Sequence, residues 1–359
     1  MKAAILRTPR KPLSIEQITI SNPGPREVLI RVAAAGVCHS DLHIQQGSNA
    51  YPLPTVLGHE AAGIVEKVGE DVRSVRPGDH VVTCISAYCG HCSYCLSGDM
   101  ALCFSPETRR GKHETPRLSL GDNAIHQFYN VSAFAEQMLV HEHACVGISR
   151  DMPLDRASII GCGVITGVGA ATRTAGIRPG DVVAVIGCGG VGLAAINGAK
   201  LAGASRIIAI DRLEDKLLLS QKFGATDTVL AEADVLGVVR ELTHGGVDHA
   251  IEAVGIRATA ELAFKLLRRG GTATIVGMLP DNEQICVDAA GLSMSKKIQG
   301  STMGSNRFPI DIPKLVDMYM RGSLHLDELV SRHIALADIN DAFEELKDGH
   351  IARSVITEF

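Results

Sequence analysis

The chain has no tryptophan, and aromatic residues supply only 4% of its 359 positions. No apolar run reaches the roughly eighteen residues that span a bilayer. Positive charge is not in excess either: 35 Lys and Arg stand against 40 Asp and Glu, a net charge of −5. Without a basic field to neutralise phosphates, a nucleic-acid partner is not expected. A membrane partner is not expected either. The opening stretch, Met1 to Ile20, is broken by Arg7, Pro9, Arg10, Lys11 and Pro12. It lacks the apolar core and small-residue cleavage site of a secretory leader, so a cytoplasmic location is expected.

What is present fits a folded chain of about two domains, with 46% hydrophobic and 21% charged residues. The 37 glycines suggest many tight turns and close backbone approaches. There are ten cysteines. In a chain without a leader, clustered cysteine points to metal binding or catalysis rather than to a disulfide frame.

The texture changes twice along the chain. Up to about Val146, short apolar runs (Val28–Val32, Ala62–Val68, Val81–Val82) lie between turn formers such as Arg76-Pro-Gly-Asp79. That pattern predicts an all-β domain of barrel type. From about Pro153 to Gly300, strands apolar on both faces alternate with helices of ten or so residues. Strands are expected at Asp181–Ile186, Arg206–Ile210, Thr228–Leu230, His249–Glu252, Thr272–Val276 and Lys297–Gly300. Helices are expected at Val191–Ala204, Leu213–Phe223, Val235–Leu242 and Ala258–Leu267. This α/β alternation predicts a doubly wound parallel sheet. The tail, with helical Ile312–Arg321 and Leu336–Lys347 and the alternating Arg353–Phe359, is expected to return to the first domain. The assigned domains are 1–161 with 303–359, and 162–302.

Gly187-Cys-Gly-Gly-Val-Gly192 fits G-x-G-x-x-G between a strand and a helix, and Asp211 follows after a second strand. Gly187 permits the sharp turn, Gly189 lets backbone approach a pyrophosphate, and Gly192 lets helix pack on strand. Gly190 and Val191 open the helix, whose N-terminal N–H groups favour phosphate. Asp211 would accept from the adenosine ribose hydroxyls and repel a 2′-phosphate. NAD is therefore favoured over NADP, with the neighbouring Arg212 as the feature that would tolerate the phosphate.

Cys89, Cys92, Cys95 and Cys103 form C-x2-C-x2-C-x7-C, a set that can enclose one tetrahedral Zn²⁺. Such a closed sulfur shell would hold a loop rather than a substrate. An iron–sulfur cluster takes similar ligands, but no redox-partner surface is suggested; paired disulfides conflict with the expected compartment. His91, inside the loop, is read as a surface residue. Cys38, His59 and Cys162 are too far apart for spacing to join them. Two Cys and one His with an open fourth position are nevertheless a catalytic zinc set.

Taken together, these motifs resemble the zinc-dependent medium-chain alcohol dehydrogenases over essentially the whole chain. The resemblance rests on Gly58-His-Glu-Ala-Ala-Gly63, the Arg76–Asp79 turn, the four-Cys lobe, Gly161-Cys-Gly163 with Thr166-Gly167, and the nucleotide fingerprint. It implies a GroES-like β-barrel catalytic domain carrying the zinc lobe, beside a Rossmann domain. It also implies two Zn²⁺ per chain and NAD. Cys38, His59 and Cys162 become ligands of a catalytic zinc, with Glu60 beside them and Asp41 fixing the His59 tautomer. Ser40 and His43 become the two ends of a proton relay. Thr166 falls to the nicotinamide side, Lys216 to the adenosine ribose and Arg353 to the pyrophosphate, and Val276 and Met278 are further cofactor-binding residues. His39 stands at a phosphate-contacting position often held by Arg, so faster NADH release is expected. Ile85 stands at a pocket position often aromatic. Cys84, Cys145, Cys188 and Cys286 match no ligand and are expected as buried thiols.

The implied reaction is reversible oxidation of a primary alcohol (aliphatic, aromatic or allylic) to an aldehyde. Two other readings stay open: a formaldehyde dehydrogenase that uses glutathione or mycothiol, and a non-enzymatic zinc-lobe binding module. The 58 residues between Cys103 and Cys162 resemble the longer loop of dimeric members, which implies a homodimer paired through Ile275–Leu279.

Overall fold

The computed structural model describes residues 1–111, 113–232, 234–349 and 352–359. The chain forms two compact units, Met1–Gly163 with Arg307–Phe359, and Val164–Asn306. Cys162 therefore belongs to the first unit, together with Cys38 and His59.

The first unit is built on two mainly antiparallel sheets, one of six strands and one of seven. The organising strand is Glu27–Gly36, nearly all of it buried. It pairs with Glu60–Val68, Gln137–His141 and Ser354–Glu358. The last of these belongs to the tail, whose helices are Phe308–Met320 and Ile339–Asp348. Alternate residues of these strands (Val28, Ile30, Val32, Val65, Met138 and Ile356) face one core with Leu57 and Phe134. Each such side chain contributes roughly 1.5–3 kcal/mol on burial.

The second unit is a six-stranded, all-parallel sheet. Its spatial order is Asp227–Leu230, Arg206–Asp211, Val182–Ile186, Val247–Glu252, Leu267–Ile275, Lys297–Gly300. Chain order therefore reverses direction at Val182–Ile186, the doubly wound arrangement that puts a ligand crevice at that strand's C-terminal end. Val183, Ala184 and Val185 are fully buried, as a strand covered on both faces must be. The expected helix Ala258–Leu267 runs Arg257–Leu266 and passes directly into the next strand. Among the described residues no single helix is long and apolar enough to cross a membrane.

Candidate metal and nucleotide sites

In the first unit, strand Glu27–Gly36 ends two residues before Cys38, which caps helix His39–Gln46. That helix carries His39, Ser40, Asp41 and His43, and Gly47 closes it with φ 71°. The ladder sets Gly36 opposite both Glu60 and Val355. Three sequence-distant stretches are thereby brought to one strand end. Cys162 joins them from the turn after Ile159–Gly161. Its backbone passes so close to strand His80–Thr83 that a Cβ on Gly161 would lie 2.0 Å from the Thr83 carbonyl oxygen. Only glycine fits there.

One ligand atom each from Cys38, His59, Glu60 and Cys162 lies within 4.8 Å of the others, and all four residues are buried. Asp41 is fully buried and accepts the Gly58 N–H at 2.8 Å, while its carboxylate lies 3.2 Å from His59 Nδ1. With Nδ1 held there, His59 Nε2 is turned to the cluster, buried and without a hydrogen-bond partner. A buried nitrogen in that state is costly unless something accepts it as a ligand. Cys38 sits well below the ordinary thiol range, first because Cys162 donates to it; Cys162 sits well above for the same reason. Burial pushes Glu60 up to about 7 against the opposing pull of Arg353. The donor set, its burial and the orphaned Nε2 fit a single divalent ion.

The resemblance placed Arg353 at a pyrophosphate. It is buried and donates to Glu60 Oε1 at 2.7 Å, beside this cluster. Glu60 Oε2 has no hydrogen-bond partner. Ser40 Oγ lies 3.9 Å from Cys38 Sγ. His43 is half-buried, and burial lowers its pKa, partly offset by Cys38. His39 is exposed, its ring 6.5 Å from that of His43. Sequence reasoning missed an aromatic wall: Phe128 and Tyr129 stand edge-on to His59, with ring centroids at 5.5 and 5.9 Å, and Tyr51 packs against both. Ile85 packs against the core nearby.

In the cysteine lobe, sulfur–sulfur separations are 3.5 Å (Cys92–Cys95), 3.7 Å (Cys89–Cys103), 3.8 Å (Cys92–Cys103) and 3.9 Å (Cys89–Cys95). A tetrahedron with metal–sulfur bonds of about 2.3 Å has edges of about 3.8 Å. A disulfide needs about 2.05 Å, and none is formed. The N–H of His91 is the main cause that brings Cys89 down to about 6. The His91 ring itself pairs with Glu107 at the surface. Of the cysteines outside both clusters, Cys84, Cys145 and Cys188 are buried; Cys286, expected buried, is exposed in contact with Arg257.

In the second unit, Gly187 turns the chain with φ 92°, and helix Gly190–Leu201 begins after Gly189. A Cβ on Gly192 would lie 1.7 Å from the Gly187 carbonyl oxygen, whereas one on Gly189 would meet nothing within 4 Å. Asp211 ends strand Arg206–Asp211 and accepts the Cys188 N–H at 2.7 Å and the Leu213 N–H at 3.1 Å. The acid thus ties the glycine turn to the next loop and keeps a free lone pair on each oxygen. Arg212 is exposed, and Lys216 lies half-buried in the first turn of the following helix. Thr166 Oγ1 lies 3.6 Å from Met303 Sδ. The Val276 N–H is held by the Glu252 carbonyl, and the Met278 backbone passes close to Gly255. Glu252 carried no sequence signal. It is fully buried and accepts from Val254 N, Gly255 N and Thr259 Oγ1, fixing the loop that presses on Gly187.

Residues 24–150 match the family described as "Alcohol dehydrogenase GroES-like domain", and residues 190–320 match "Zinc-binding dehydrogenase". The chain is 38% identical to an alcohol dehydrogenase class-3 of Zea mays, over 99% of this chain and 96% of that protein. It is also 38% identical to an S-(hydroxymethyl)glutathione dehydrogenase of Saccharomyces cerevisiae, over 99% and 95%. The crystal structure of a benzyl alcohol dehydrogenase from Acinetobacter calcoaceticus superposes with a TM-score of 0.93 at 31% identity, covering 100% of this chain and 99% of that one.

Proposed function

Because the chain belongs to the zinc-dependent medium-chain alcohol dehydrogenase family, we propose that Cys38, His59 and Cys162 hold its catalytic zinc and that the four-cysteine lobe holds a second, structural ion. The protein is an NAD-dependent alcohol dehydrogenase: a primary alcohol and NAD⁺ give an aldehyde, NADH and a proton, reversibly. The observation that carries the site assignment is the buried, unpartnered His59 Nε2 among two thiols and a carboxylate within 4.8 Å.

Bound zinc supplies Lewis-acid polarisation of the substrate oxygen. Bound NAD supplies the hydride acceptor. The chain's own residues do the rest. Asp41 holds the His59 tautomer, and Arg353 keeps Glu60 oriented beside the ligands. Ser40 takes the hydroxyl proton of the alcohol, and His43 hands it on to water, since a neutral imidazole is a competent acceptor near neutral pH. Gly187, Gly189, Gly190, Val191 and Gly192 seat the pyrophosphate. Asp211 binds the adenosine ribose and favours NAD over NADP, with Arg212 and Lys216 beside it. Thr166 flanks the nicotinamide, and Val276 and Met278 contact the cofactor. His39 reaches a phosphate, so His39→Arg slows NADH release.

The test is metal analysis with turnover. The expected result is two zinc ions per chain, with Cys162→Ala keeping one ion and losing alcohol oxidation. A replete protein carrying only the lobe ion, with turnover surviving Cys162→Ala, refutes the assignment. The likeness to a glutathione-adduct dehydrogenase supports one second reading, oxidation of a formaldehyde–thiol adduct. A formaldehyde assay that responds only when glutathione or mycothiol is added would establish it. A homodimer belongs to the same proposal. Pairing through Ile275–Leu279 is not favoured, because Leu267–Ile275 has a strand on each side; the open edge beside it is the outer strand Lys297–Gly300, with exposed Leu292 and Met294 just before it. Sedimentation measures it. Ten cysteines without a disulfide support a cytoplasmic location.

A further inference from the structure

The charged, proline-broken stretch Arg7-Thr-Pro-Arg-Lys-Pro12 forms the loop of the hairpin between strands Lys2–Leu6 and Ser14–Gln17. The tip of that loop lies against the end of helix His39–Gln46, which carries Ser40, Asp41 and His43. A Cβ on Gly47 would lie 3.2 Å from Pro9 Cβ. Gln45 is buried, and its Nε2 donates to the Lys11 carbonyl at 3.1 Å. Past the tip, Asn340 accepts the Leu13 N–H at 2.8 Å and donates to the Leu13 carbonyl at 3.0 Å. The loop is thus held on both sides of Arg10.

The last four carbonyls of an α-helix have no partner within it. In this helix each has one. The Ser48 N–H reaches the His43 carbonyl at 2.9 Å, and the Gly47 N–H reaches the Ile44 carbonyl at 3.0 Å. The other two are met by one residue far up the chain. The Arg10 N–H bonds to the Gln45 carbonyl, and Arg10 Nε donates to the Gln46 carbonyl at 3.2 Å. Arg10 takes φ 63° to do so, a conformation uncommon outside glycine that persists where surrounding contacts over-determine it. Its guanidinium also sets a cation at the helix C-terminus, where the dipole favours one.

A helix of eight residues is too short to hold itself. Its N-terminal half has anchors of its own: Cys38 caps it, and Asp41 accepts the Gly58 N–H beside His59. His43 lies in the last turn, at the end that Arg10 caps. We propose that Arg10 is a positioning residue for the proton relay: by capping the helix from outside, it holds His43 where it can pass on the substrate proton. The proposal rests on the dehydrogenase reading above and on the place of His43 in it. Arg10 itself is exposed, so its side chain can be removed without opening a core.

The test is a double-mutant cycle on the full-length, zinc-loaded enzyme with NAD. The substrate is benzyl alcohol, hexan-1-ol or the formaldehyde–glutathione adduct, whichever wild type oxidises fastest. Arg10→Gly keeps the N–H bond and suits the positive φ; Arg10→Ala loses the same guanidinium but keeps the strain. Both should lower kcat/KM by about 3- to 10-fold, the worth of one hydrogen bond, with zinc content and NADH affinity unchanged. Equal losses in two variants of different Tm, the glycine variant melting higher, separate positioning from stability. Arg10→Lys, which keeps a cation near the Gln46 carbonyl, should retain most of the activity. In a His43→Gln background, Arg10→Gly should cause no further loss, because a residue acting only through His43 has nothing left to place. Full activity in Arg10→Gly, a loss that tracks Tm, or an additive loss in the double variant overturns the proposal and leaves the dehydrogenase reading intact. Full activity in His43→Gln removes His43 from the proton path, and the proposal goes with it. If wild type oxidises none of the three substrates with NAD, the dehydrogenase reading itself fails, and that result is seen before any variant is made.

Discussion

Gly189 and Gly192 stand three residues apart in one glycine turn, yet adding a methyl group to each should do different things. At Gly192 the new Cβ would lie 1.7 Å from the Gly187 carbonyl oxygen. That is a backbone atom no rotamer can move, so the turn must shift, and overpacking of this kind costs about 1–3 kcal/mol or more. At Gly189 the methyl meets no protein atom within 4 Å, and the residue's φ of −79° suits alanine. Folding should be unharmed or gain up to about 1 kcal/mol through a less flexible unfolded chain. The emptiness over Gly189 is the space a pyrophosphate would need. A methyl there pushes the phosphates off the helix N-terminus and weakens charge-assisted hydrogen bonds worth about 1.5–3 kcal/mol each, so NADH affinity should fall about 10- to 100-fold. Fluorescence titration with NADH and a thermal melt on the same samples separate the effects. Gly189→Ala should melt at or above wild type and bind poorly, whereas Gly192→Ala should melt lower. Wild-type NADH affinity in a fully folded Gly189→Ala protein would refute the assignment of this turn to the pyrophosphate.

Asp41→Asn leaves the His59 ring without its anionic anchor, and loss of such a partner typically weakens metal retention about 10- to 100-fold; competition with a chelator measures it on folded protein. Glu27→Gln breaks a buried network in which Glu27 accepts from Arg110 and Arg117. Removing one partner of such a pair costs about 3–5 kcal/mol, read by denaturant unfolding at pH 7. Burial raises the Glu27 pKa, but the two guanidiniums overcome it and the net shift is downward. Its contribution is thus present above the unfolded value near 4.5 and fades as pH falls through the lower folded value, so the gap between variant and wild type should narrow in acid. A gap independent of pH counts against the charged network. His43, its pKa lowered by burial, stays neutral to lower pH than a free imidazole. The acid limb of wild-type kcat/KM should therefore lie below about 6.5. His43→Gln should slow turnover about 10- to 100-fold and flatten that limb; an unchanged profile removes His43 from the proton path.

The parallel sheet was legible because each strand is a short, continuous apolar run such as Val182-Val-Ala-Val-Ile186, bounded by turn residues and followed by a helix. The lobe was legible because its ligands lie within fifteen residues of one another. The other metal cluster was legible only through resemblance. Arg353 and Glu60 are 293 positions apart, and no local pattern can announce a contact closed by the last strand. Tyr129 and Glu252 were not legible at all. The left-handed backbone at Tyr129 occurs in a non-glycine residue and is imposed from outside by Tyr51 and Ser132. Glu252 reads as an ordinary acid at a strand end until its three donors are seen.

The convergence of Cys38, Glu60 and Arg353 follows from strand register rather than from any affinity of the side chains for one another. Gly36 faces Glu60 on one side and Val355 on the other. The Val37 N–H then bonds to the Ser354 carbonyl at 2.9 Å, so the residue after the strand and the residue before its partner are already neighbours. Glycine at position 36 matters because a Cβ there would lie 2.4 Å from Glu60 Oε2. Its absence lets Glu60 reach inward to Arg353 and the ligands. A slip of one residue in the pairing of Glu27–Gly36 with Glu60–Val68 would turn Glu60 to the opposite face of the sheet. It would leave Arg353, whose side chain is 4% exposed, as an unpaired buried charge, at a cost of about 3–5 kcal/mol. The ion pair therefore stabilises the one register in which the metal ligands meet, and the chemistry of the site is bound to the folding of the sheet that carries it.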